Sequence, residues 1–547
     1  MVRRLLCLTV LFLGLVSPSF GPLGPVHGSA QAAEFLPAES LRMLLDQNPS
    51  LTFEGVPLPV AALSRFYAAR ADAPAWTFSA LDHRAEWDTF LERTRLVARA
   101  HGLPATGRLR VLLNALATTT IEDPARRDIA VTALTLTLIQ ALRGENLSLM
   151  TVYPDWPFHR ESLDAPLALA AAIKARQDLA TFLTAQAPQT DDYRLLMSAL
   201  DAYRLKEPWV LLPPGPKLEP GAIDASVPLV WTRLQAEDPT AVAPSGLDVN
   251  PHLYDVTLRE AVRRYQERHG LEPDGVLGAK TREDMNIPLA ARLDQIIANL
   301  ERLRHFTDPL PARRAVVNIA ASTLTVFDAN GLRYRGPVVV GRTDRPTPFV
   351  QSAIHAVIFN PAWHIPPKLA REDVLPKLRK NPRYLEKESI EIVGREDDPY
   401  GLNVDWTRVP KRAFPFTLRQ TPGDGNSLGR IKFVFENSFS VYLHGTPHQE
   451  LFVKSARFFS SGCVRVRDPD VFAEILLNPN GTTWDDAKIR QAVDDATTRW
   501  VPLKKPLPLF ITYATVFPNT DGTIAFLPDI YGYDRHLLEA FLPAEDT

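Results

Sequence analysis

The stretch Ser460-Ser461-Gly462-Cys463-Val464-Arg465 contains one of the two cysteines in the chain. The other, Cys7, lies in an apolar N-terminal run that we expect to be removed. Cys463 then has no partner for an intramolecular disulfide, which in an exported protein indicates a reactive thiol or an intermolecular bridge. The alternative is a small apolar side chain buried in a core.

The residues before this stretch alternate between apolar and polar from Phe439 to His444. This period of two predicts a half-buried strand that ends at the Gly445-Thr446-Pro447 turn. One face would carry Phe439, Val441 and Leu443, and the other Ser440, Tyr442 and His444. A histidine at the strand end is suited to take the proton of a loop thiol, which is mostly protonated at neutral pH. Backbone N–H groups around Gly462 and Cys463 are candidates for an oxyanion hole.

The order His444-Gly445-Thr446 and then Ser460 to Arg465 resembles the active-site signature of the L,D-transpeptidase family, the YkuD-type catalytic domain. Many members carry Ser-His-Gly-Cys, whereas this chain has Ser461 at the second histidine. This form resembles the long, multidomain YcbB-like branch. The resemblance implies that Cys463 is the nucleophile, that His444 acts as base and then acid, and that the Gly445 carbonyl orients the imidazole. Any polarising role of the missing histidine would fall to His444 or to backbone groups.

Three further residues are candidates for the same site, each with an alternative. Arg465 either frames the loop of Ser461 and Gly462 or binds a substrate carboxylate through its guanidinium fork; the alternative is a structural salt bridge. Tyr442 shares the predicted face of His444 and either contacts substrate or packs internally. Trp363 either lines the cleft or belongs to the core.

The chain has 547 residues, which is too long for one core, so several domains are expected. The patterns and the resemblance together predict a multidomain α and β protein. It would have a helical scaffold domain, a small helical peptidoglycan-binding domain and a mainly β catalytic domain with a helical lid insertion. The expected boundaries are 1–32 for a signal peptide, 33–240 for the scaffold domain, 241–287 for the peptidoglycan-binding domain, 288–312 for an amphipathic helix returning to the scaffold, 313–547 for the catalytic domain, and 366–416 for the lid within it.

The N-terminal residues have the three parts of an export signal in order. Arg3-Arg4 gives a positive start, Leu5 to Val16 is an apolar run, and Ala30-Gln31-Ala32 offers a cleavage site. The Pro/Gly-rich Ser17 to Gly28 lengthens the gap before that site, so an uncleaved anchor is the alternative. No later segment is long and apolar enough to span a membrane. The expected location is the periplasm.

Several segments carry helix signals. Ile129 to Leu136 suits a packed helix, although its β-branched residues also allow a strand. Thr257-Leu258-Arg259-Glu260 predicts a capping box for a helix that Gly270 ends, and Thr281 is expected to cap a second helix. That ordered series is similar to the small peptidoglycan-binding domain, with a generic helical connector as the alternative. Phe66 to Arg70, followed by Ala75-Trp76, resembles the scaffold domain more weakly.

The C-terminal half is expected to begin with a helix and continue as a sheet. Leu289 to His305 predicts an amphipathic helix with five apolar residues inward, namely Leu293, Ile296, Ile297, Leu300 and Leu303. The period then changes to two and predicts strands at Val316–Ile319, Leu324–Phe327, Val338–Val340, Leu507–Val516 and Thr523–Phe526, with hairpin turns at Asn330-Gly331 and Asp521-Gly522. Asp468 is expected to cap a helix from Pro469 to about Leu477.

The resemblance implies a peptidoglycan L,D-transpeptidase, a carbapenem target that forms 3→3 cross-links between stem peptides in cell-wall biogenesis and the control of cell shape. The implied partners are stem peptides, glycan strands and cell-wall synthesis enzymes. A net charge of −2 gives no reason to expect nucleic acid. No cofactor is implied, because a thioester stores the acyl energy. An L,D-carboxypeptidase and an enzyme that attaches protein to peptidoglycan share this acyl-enzyme and remain alternatives.

Two alternatives from other classes are weaker. A metal-dependent peptidase could use His444, His448 and Cys463 as zinc ligands, but the standard zinc spacings are absent. A catalytically silent wall-binding scaffold would use only residues 241–287. The presence of both Cys463 and His444 argues against a catalytically silent scaffold.

Overall fold

The computed structural model of the chain describes residues 38–76, 84–103, 107–119, 121, 123–246, 250–307, 309–478, 484–519 and 521–541. The expected signal peptide (1–32), with Cys7, lies outside these residues. The described chain divides into two compact units, one drawn from residues 1–146 and 162–189 and the other from 147–161 and 190–547. In the described ranges, no helix has the length and apolarity needed to cross a membrane.

The helices of the described chain occupy both units. They are α1 (Ala38–Gln47), α2 (Val60–Ala68), α3 (Arg84–Ala100), α4 (Gly107–Thr118), α5 (Pro124–Arg143), α6 (Leu149–Val152), α7 (Ala165–Lys174), α8 (Leu179–Thr184), α9 (Asp191–Arg204), α10 (Val227–Glu237), α11 (Val256–Arg268), α12 (Ala279–Met285), α13 (Leu289–Arg304), α14 (Pro367–Leu369), α15 (Leu375–Lys380), α16 (Tyr384–Lys387), α17 (Pro469–Leu477), α18 (Asp486–Asp494) and α19 (Tyr533–Phe541).

Most strands lie in the C-terminal half. They are β1 (Thr52–Phe53), β2 (Val56–Pro57), β3 (Arg314–Asn318), β4 (Thr323–Asp328), β5 (Gly331–Gly341), β6 (Val350–Phe359), β7 (Trp363–His364), β8 (Ile390–Ile392), β9 (Leu418–Gln420), β10 (Ile431–Phe435), β11 (Leu443–His444), β12 (Phe458–Ser460), β13 (Val464–Val466), β14 (Arg499–Thr512), β15 (Val516–Pro518) and β16 (Ile524–Phe526).

The first unit is helical, as predicted, and α5 is its central element. Nearly every residue of α5 is buried, and α2, α4 and α7 pack against it. Ile129 to Leu136 lies within α5, so the helical interpretation is confirmed and the strand alternative is wrong. Asp123 caps the helix by accepting from the Ala125 N–H, and Gly144 ends it with a φ of +75°.

A buried carboxylate explains the scaffold landmarks in the sequence. The Tyr67 hydroxyl donates to Asp128 of α5 at 2.6 Å, and the Ala75 and Trp76 N–H groups donate to the same carboxylate at 3.0 Å. Burial raises the pKa of Asp128, and these hydrogen bonds oppose that rise. Asp128 therefore fixes α2 and the following extended segment on α5.

The segment expected to bind peptidoglycan forms a helical cluster in the second unit. Its helix α11 buries one face, which consists of Leu258, Ala261, Val262 and Tyr265. The cluster also includes Leu212, Leu218 and residues of α10, so the boundary expected at residue 241 cuts through it.

Two capping predictions for this cluster are wrong. Asp255, and not Thr257, caps α11 by accepting from the Leu258 N–H at 2.8 Å. Gly278 precedes α12, and Thr281 lies inside that helix, where its hydroxyl accepts from the Gln266 side chain at 3.1 Å. The end of α11 is as predicted, since the helix stops at Arg268 and Gly270 has a φ of +63°.

The helix predicted from Leu289 is α13, but its burial departs from the predicted apolar stripe. Ile296 and Leu300 are fully buried, whereas the other three residues of the stripe are only partly buried. Apart from Ala298, the remaining buried positions hold polar side chains, and they are Arg292, Asn299, Glu301, Arg302 and Arg304. α13 packs against α9, where Arg304 donates to the Tyr193 hydroxyl at 3.1 Å.

The second unit contains a nine-stranded sheet in the order β12-β5-β13-β11-β10-β6-β14-β3-β4. β4 also pairs with β5, so the eight strands from β5 to β4 in this order form a closed barrel, and β12 is added at its edge. Alternating apolar side chains fill the core, and the Phe472 ring of α17 lies 4.6 Å from the Phe433 ring of β10. The mainly β architecture predicted for this region, including the hairpin at Asn330-Gly331, is confirmed.

Some C-terminal details differ from prediction. The last strand of the large sheet, β14, runs from Arg499 to Thr512, while β15 and β16 form a separate two-stranded sheet. The helix from Pro469 to Leu477 is present as α17. Asp468 precedes it but makes no side-chain cap, because its carboxylate instead accepts from Arg467 and Tyr334.

The expected lid insertion has a core of its own and is only partly helical. Residues 367–387 form α14, a π-helical segment at Ala370–Val374, α15 and α16. The remainder adds β8, which pairs with β9 in a three-stranded sheet of order β7-β9-β8. Leu378, Leu385, Trp406 and Leu418 are among the buried residues of this separate core.

Candidate active site

Three neighbouring strands place three basic side chains in one row. Lys432 of β10 pairs with His444 of β11, and His444 pairs with Arg465 of β13. The residues next to them, Phe433, Leu443 and Val464, are fully buried in the core. Because side chains alternate along a strand, Lys432, His444 and Arg465 share the opposite face. Cys463 immediately precedes β13, so the predicted nucleophile lies beside this row.

The strand predicted from Phe439 to His444 is wrong in its first four residues. Ser440 has a φ of +57°, and Asn437 Oδ1 accepts from the Phe439 and Val441 N–H groups in a tight turn. Only Leu443 and His444 form a strand, with His444 as its last residue. His444 is only 4% exposed, so it lies in a buried setting and not on a solvated polar face.

Backbone carbonyls hold the imidazole of His444. Its Nδ1 lies 2.5 Å from the Gly445 carbonyl oxygen, the contact that the family resemblance implies. Nδ1–H donating to this oxygen would leave Nε2 unprotonated and able to accept a proton.

Gly429 lets the preceding loop approach this histidine closely. A Cβ at Gly429 would lie 2.6 Å from the Thr446 nitrogen and 2.7 Å from the Gly445 carbonyl carbon, and the residue has a φ of +63°. A side chain at this position would therefore push the loop away from Gly445. The sequence pattern around Gly429 gives no indication of this close approach.

Internal hydrogen bonds fix the loop that carries Cys463. The Ser460 hydroxyl donates to the Cys463 carbonyl at 2.6 Å and accepts from the Gly462 N–H at 3.1 Å. The Gly462 carbonyl accepts from the Thr347 hydroxyl at 2.9 Å, and Gly462 itself has a φ of +116°, which favours glycine. The Gly462 amide, expected to help form an oxyanion hole, is thus already used within the loop.

Ser461 connects the loop to the lid through an arginine that sequence reasoning missed. The Ser461 hydroxyl accepts from Arg342 and Arg345, each at 3.2 Å. Arg345 also binds both oxygens of Asp373, at 2.6 and 3.0 Å, and Glu372 at 2.7 Å. Both acidic residues lie in the π-helical segment of the lid, a distortion that is frequent at functional sites.

The two predicted aromatic cleft residues meet beside this row. Trp363 Nε1 donates to the Tyr442 hydroxyl at 3.3 Å, and the Tyr442 and His444 rings are 6.0 Å apart in an edge-to-face arrangement. Both aromatic side chains are partly buried, so neither is purely a core residue. Lys432 Nζ lies 3.8 Å from the centroid of the Tyr442 ring.

Burial favours the neutral forms of both candidate catalytic groups. Desolvation, followed by the nearby Arg465 cation, lowers the pKa of His444 to about 3. Desolvation also raises the pKa of the Cys463 thiol, although the Tyr442 backbone, Lys432 and Arg465 oppose the rise. At neutral pH the pair is therefore a thiol and a neutral imidazole, and His444 is in the unprotonated form that a general base requires.

We expect the acylation efficiency of Cys463 to be nearly constant between about pH 5 and pH 8. Protonation removes the base, so activity falls only as the pH drops through the pKa of His444, which is about 3. The rate of acyl-enzyme formation measured across this range by rapid quench and mass spectrometry checks this. A half-loss near pH 6.5, where an ordinary histidine titrates, would contradict it.

The zinc alternative gains no support from the described residues. In these ranges no three His, Cys, Asp or Glu side chains are grouped so that they could hold a metal ion. His448, the third ligand of that alternative, is largely exposed, and its ring lies 3.3 Å from the Glu450 carboxylate.

Comparison with known families matches three parts of the chain. Residues 312–483 match the L,D-transpeptidase catalytic domain, called YkuD, and this segment contains His444 and Cys463. Residues 61–200 match the scaffold domain. Residues 225–285 match a family described as "Putative peptidoglycan binding domain", and the match begins upstream of residue 241 as the helical cluster does.

A curated protein of Haemophilus influenzae named "Putative L,D-transpeptidase" is 35% identical to this chain over 246 residues. The aligned region covers 44% of this chain and 48% of that protein, so the chain spans about half the length of the curated relative it matches. The resemblance drawn from the sequence is confirmed at the level of domains. The chain carries an L,D-transpeptidase catalytic domain together with a scaffold domain and a peptidoglycan-binding domain.

Proposed function

We propose that this protein is a peptidoglycan L,D-transpeptidase that forms 3→3 cross-links through a thioester on Cys463. The observation that carries the proposal is a buried His444, oriented by the Gly445 carbonyl, in register with the strand that begins directly after Cys463. A nucleophile, a base and a group that orients the base are the parts that covalent acyl transfer requires.

In the proposed reaction the Cys463 sulfur attacks the carbonyl of the third residue of a tetrapeptide stem, while His444 takes the thiol proton. The tetrahedral oxyanion would be stabilised by the backbone N–H of Cys463, since the Gly462 N–H is engaged by Ser460. The C–N bond then breaks, and the terminal D-alanine leaves with the proton from His444.

The second half of the reaction reuses the same groups. The side-chain amine of another stem attacks the thioester, and His444 accepts a proton from this amine. The C–S bond then breaks as the new amide forms, and His444 returns the proton to the Cys463 sulfur. Water as the acceptor would give L,D-carboxypeptidase activity, and a protein amine would give attachment to the wall. Cross-linking is the proposal because the ion pairs from Arg345 to the lid give the site a means of excluding water.

The other domains support a role at the cell wall. We propose that the cluster containing α11 and α12 binds glycan strands or stem peptides and so holds the catalytic domain near its substrate. The sequence pattern of residues 1–32 further supports action in the periplasm, where cell-wall synthesis enzymes would be partners.

Intact-mass analysis with a purified tetrapeptide muropeptide tests the proposed function. We expect an adduct of one acyl tripeptide on the peptide that contains Cys463, and then a 3→3 dimer in solution. A carbapenem should add to the same residue in a one-to-one ratio. Release of tripeptide with no dimer would favour the carboxypeptidase, and a reduced, folded protein that gives no adduct with either compound would overturn the proposal.

A further inference from the structure

Lys432 and Arg465 differ from the fully buried arginines of this unit. Arg302 lies 2.6 Å from Asp534, and Arg292 lies 2.8 Å from Asp284, so each of these cations has a carboxylate partner. Among the described residues, neither Lys432 nor Arg465 has a carboxylate oxygen within 4.0 Å, although both are partly buried.

Both cations lie beside the predicted nucleophile. They flank His444 in the sheet register, one on each neighbouring strand. Desolvation lowers the pKa of each. The Cys463 thiolate opposes that shift in both cases, and the Glu450 carboxylate also opposes it at Arg465. Lys432 has no carboxylate partner and Arg465 has only the more distant Glu450, so these two partly desolvated cations are costly unless an anion is present for part of the working cycle.

Two aromatic side chains fix the position of the Lys432 ammonium group. It lies over the Tyr442 ring at 3.8 Å, and the Tyr442 hydroxyl is held by Trp363 at 3.3 Å. A cation–π contact favours a fixed position for the charge and leaves its hydrogen-bond donors able to bind an anion.

We infer that Lys432 and Arg465 form a carboxylate-binding site for the donor peptide, next to the scissile carbonyl. This inference rests on the proposed function. The donor has two carboxylates of the same chemistry. One is the C-terminal carboxylate of the departing residue, whose carbon is no more than about 4 Å from the scissile carbon along the chain. The other ends the side chain of the diamino acid. Binding either would select a peptide end and not an internal peptide bond.

Three donor peptides test whether Lys432 and Arg465 bind a donor carboxylate or only alter the electrostatic environment of the thiol. The first is the free tetrapeptide stem, the second has a C-terminal carboxamide, and the third has a carboxamide on the diamino acid side chain. Acyl-enzyme formation is measured by intact mass for wild type, Lys432→Met and Lys432→Arg. Lys488→Met is a matched control, because Lys488 also lies over an aromatic ring, Trp484, but is exposed.

We expect wild type to acylate with one of the two amidated donors about 10- to 100-fold more slowly than with the free acid, as for loss of a charge-assisted hydrogen bond. Lys432→Met should lose this preference, Lys432→Arg should retain part of it, and Lys488→Met should behave as wild type. Equal acylation of all three donors by wild type would overturn the inference. So would an equal slowing of all three donors in Lys432→Met, with the variant shown to be folded by its thermal unfolding. The absence of acyl-enzyme with every donor would instead overturn the proposed function.

Discussion

Replacement of Cys463 by alanine should reduce both acyl-enzyme formation and dimer formation by about 10⁴-fold or more, because no other group in the site can form the thioester. The fold should survive, since the side chain is only partly buried and its loop is held mainly by Ser460 and Thr347. We expect a stability change of about 1 kcal/mol or less. The measurements are muropeptide product analysis and thermal unfolding on the same preparation.

Cys463→Ser is the matched control for this substitution. It keeps the size and a hydrogen-bonding group but replaces the thiol with a hydroxyl, which is a far weaker nucleophile without a stronger base. Both variants should still bind the donor peptide. A folded Cys463→Ala protein that forms dimer at a substantial fraction of the wild-type rate would refute the proposed mechanism.

The sequence predicted β3 and β4 well, because burial is one-sided in these two strands. In β3 and β4, buried and partly buried residues alternate, so the period of two is visible in the sequence. The same rule failed at Phe439 to Tyr442. There an apolar and polar alternation coincides with a turn held by Asn437, and the exposed Phe439 has no core neighbour to enforce a strand.

The sequence signals predicted where helices occur more reliably than they predicted which residues cap those helices. Both Asp255 and Thr257 precede the apolar run of α11, and only the geometry shows that the Asp255 carboxylate reaches the Leu258 N–H. In α13 the amphipathic pattern failed for another reason. Arg302 is buried because Asp534 and Tyr153, both distant in the sequence, lie against it, and no local pattern records such partners.

In the candidate site, too, local features were predictable from the sequence and contacts between distant residues were not. Cys463, His444 and Gly445 could be proposed from one motif because they are close in sequence and their residue types carry the chemistry. Lys432 could not, since a lysine between apolar residues usually indicates a solvated face, and Arg345 could not, since it lies in a polar loop with no motif around it. Their roles depend on strand register and on a loop-to-lid contact.

The geometry of the lid allows its removal to be tested. β7 and β9 pair antiparallel, with Trp363 opposite Gln420 and His364 opposite Arg419, and the Ile365 N–H donates to the Leu418 carbonyl at 2.9 Å. The two ends of the insertion are therefore adjacent. A short Gly/Ser linker can replace residues 366–416 without stretching the catalytic sheet.

We expect this replacement to retain acylation at Cys463 but to shift the products from cross-linked dimer toward hydrolysed tripeptide. The lid reaches the catalytic loop through Arg345, which joins Glu372 and Asp373 to Ser461, so its closure would exclude water from the thioester. We expect the dimer-to-tripeptide ratio to fall about tenfold, equivalent to a change of about 1.4 kcal/mol in the relative barriers.

Single substitutions test whether the contacts that hold the lid on the catalytic loop, and not only the presence of the lid, affect the products. Arg345→Ala keeps the insertion but removes the ion pairs with Glu372 and Asp373 and the hydrogen bond to Ser461. It should therefore lower the dimer-to-tripeptide ratio, though less than deletion does. Arg383→Ala removes a comparable but exposed pair with Glu386 inside the lid and should leave the ratio unchanged. If the insertion has no role in the reaction, deletion and Arg345→Ala will both leave the dimer-to-tripeptide ratio of a folded protein at the wild-type value. Water exclusion by the lid would then have no role in the choice of acceptor.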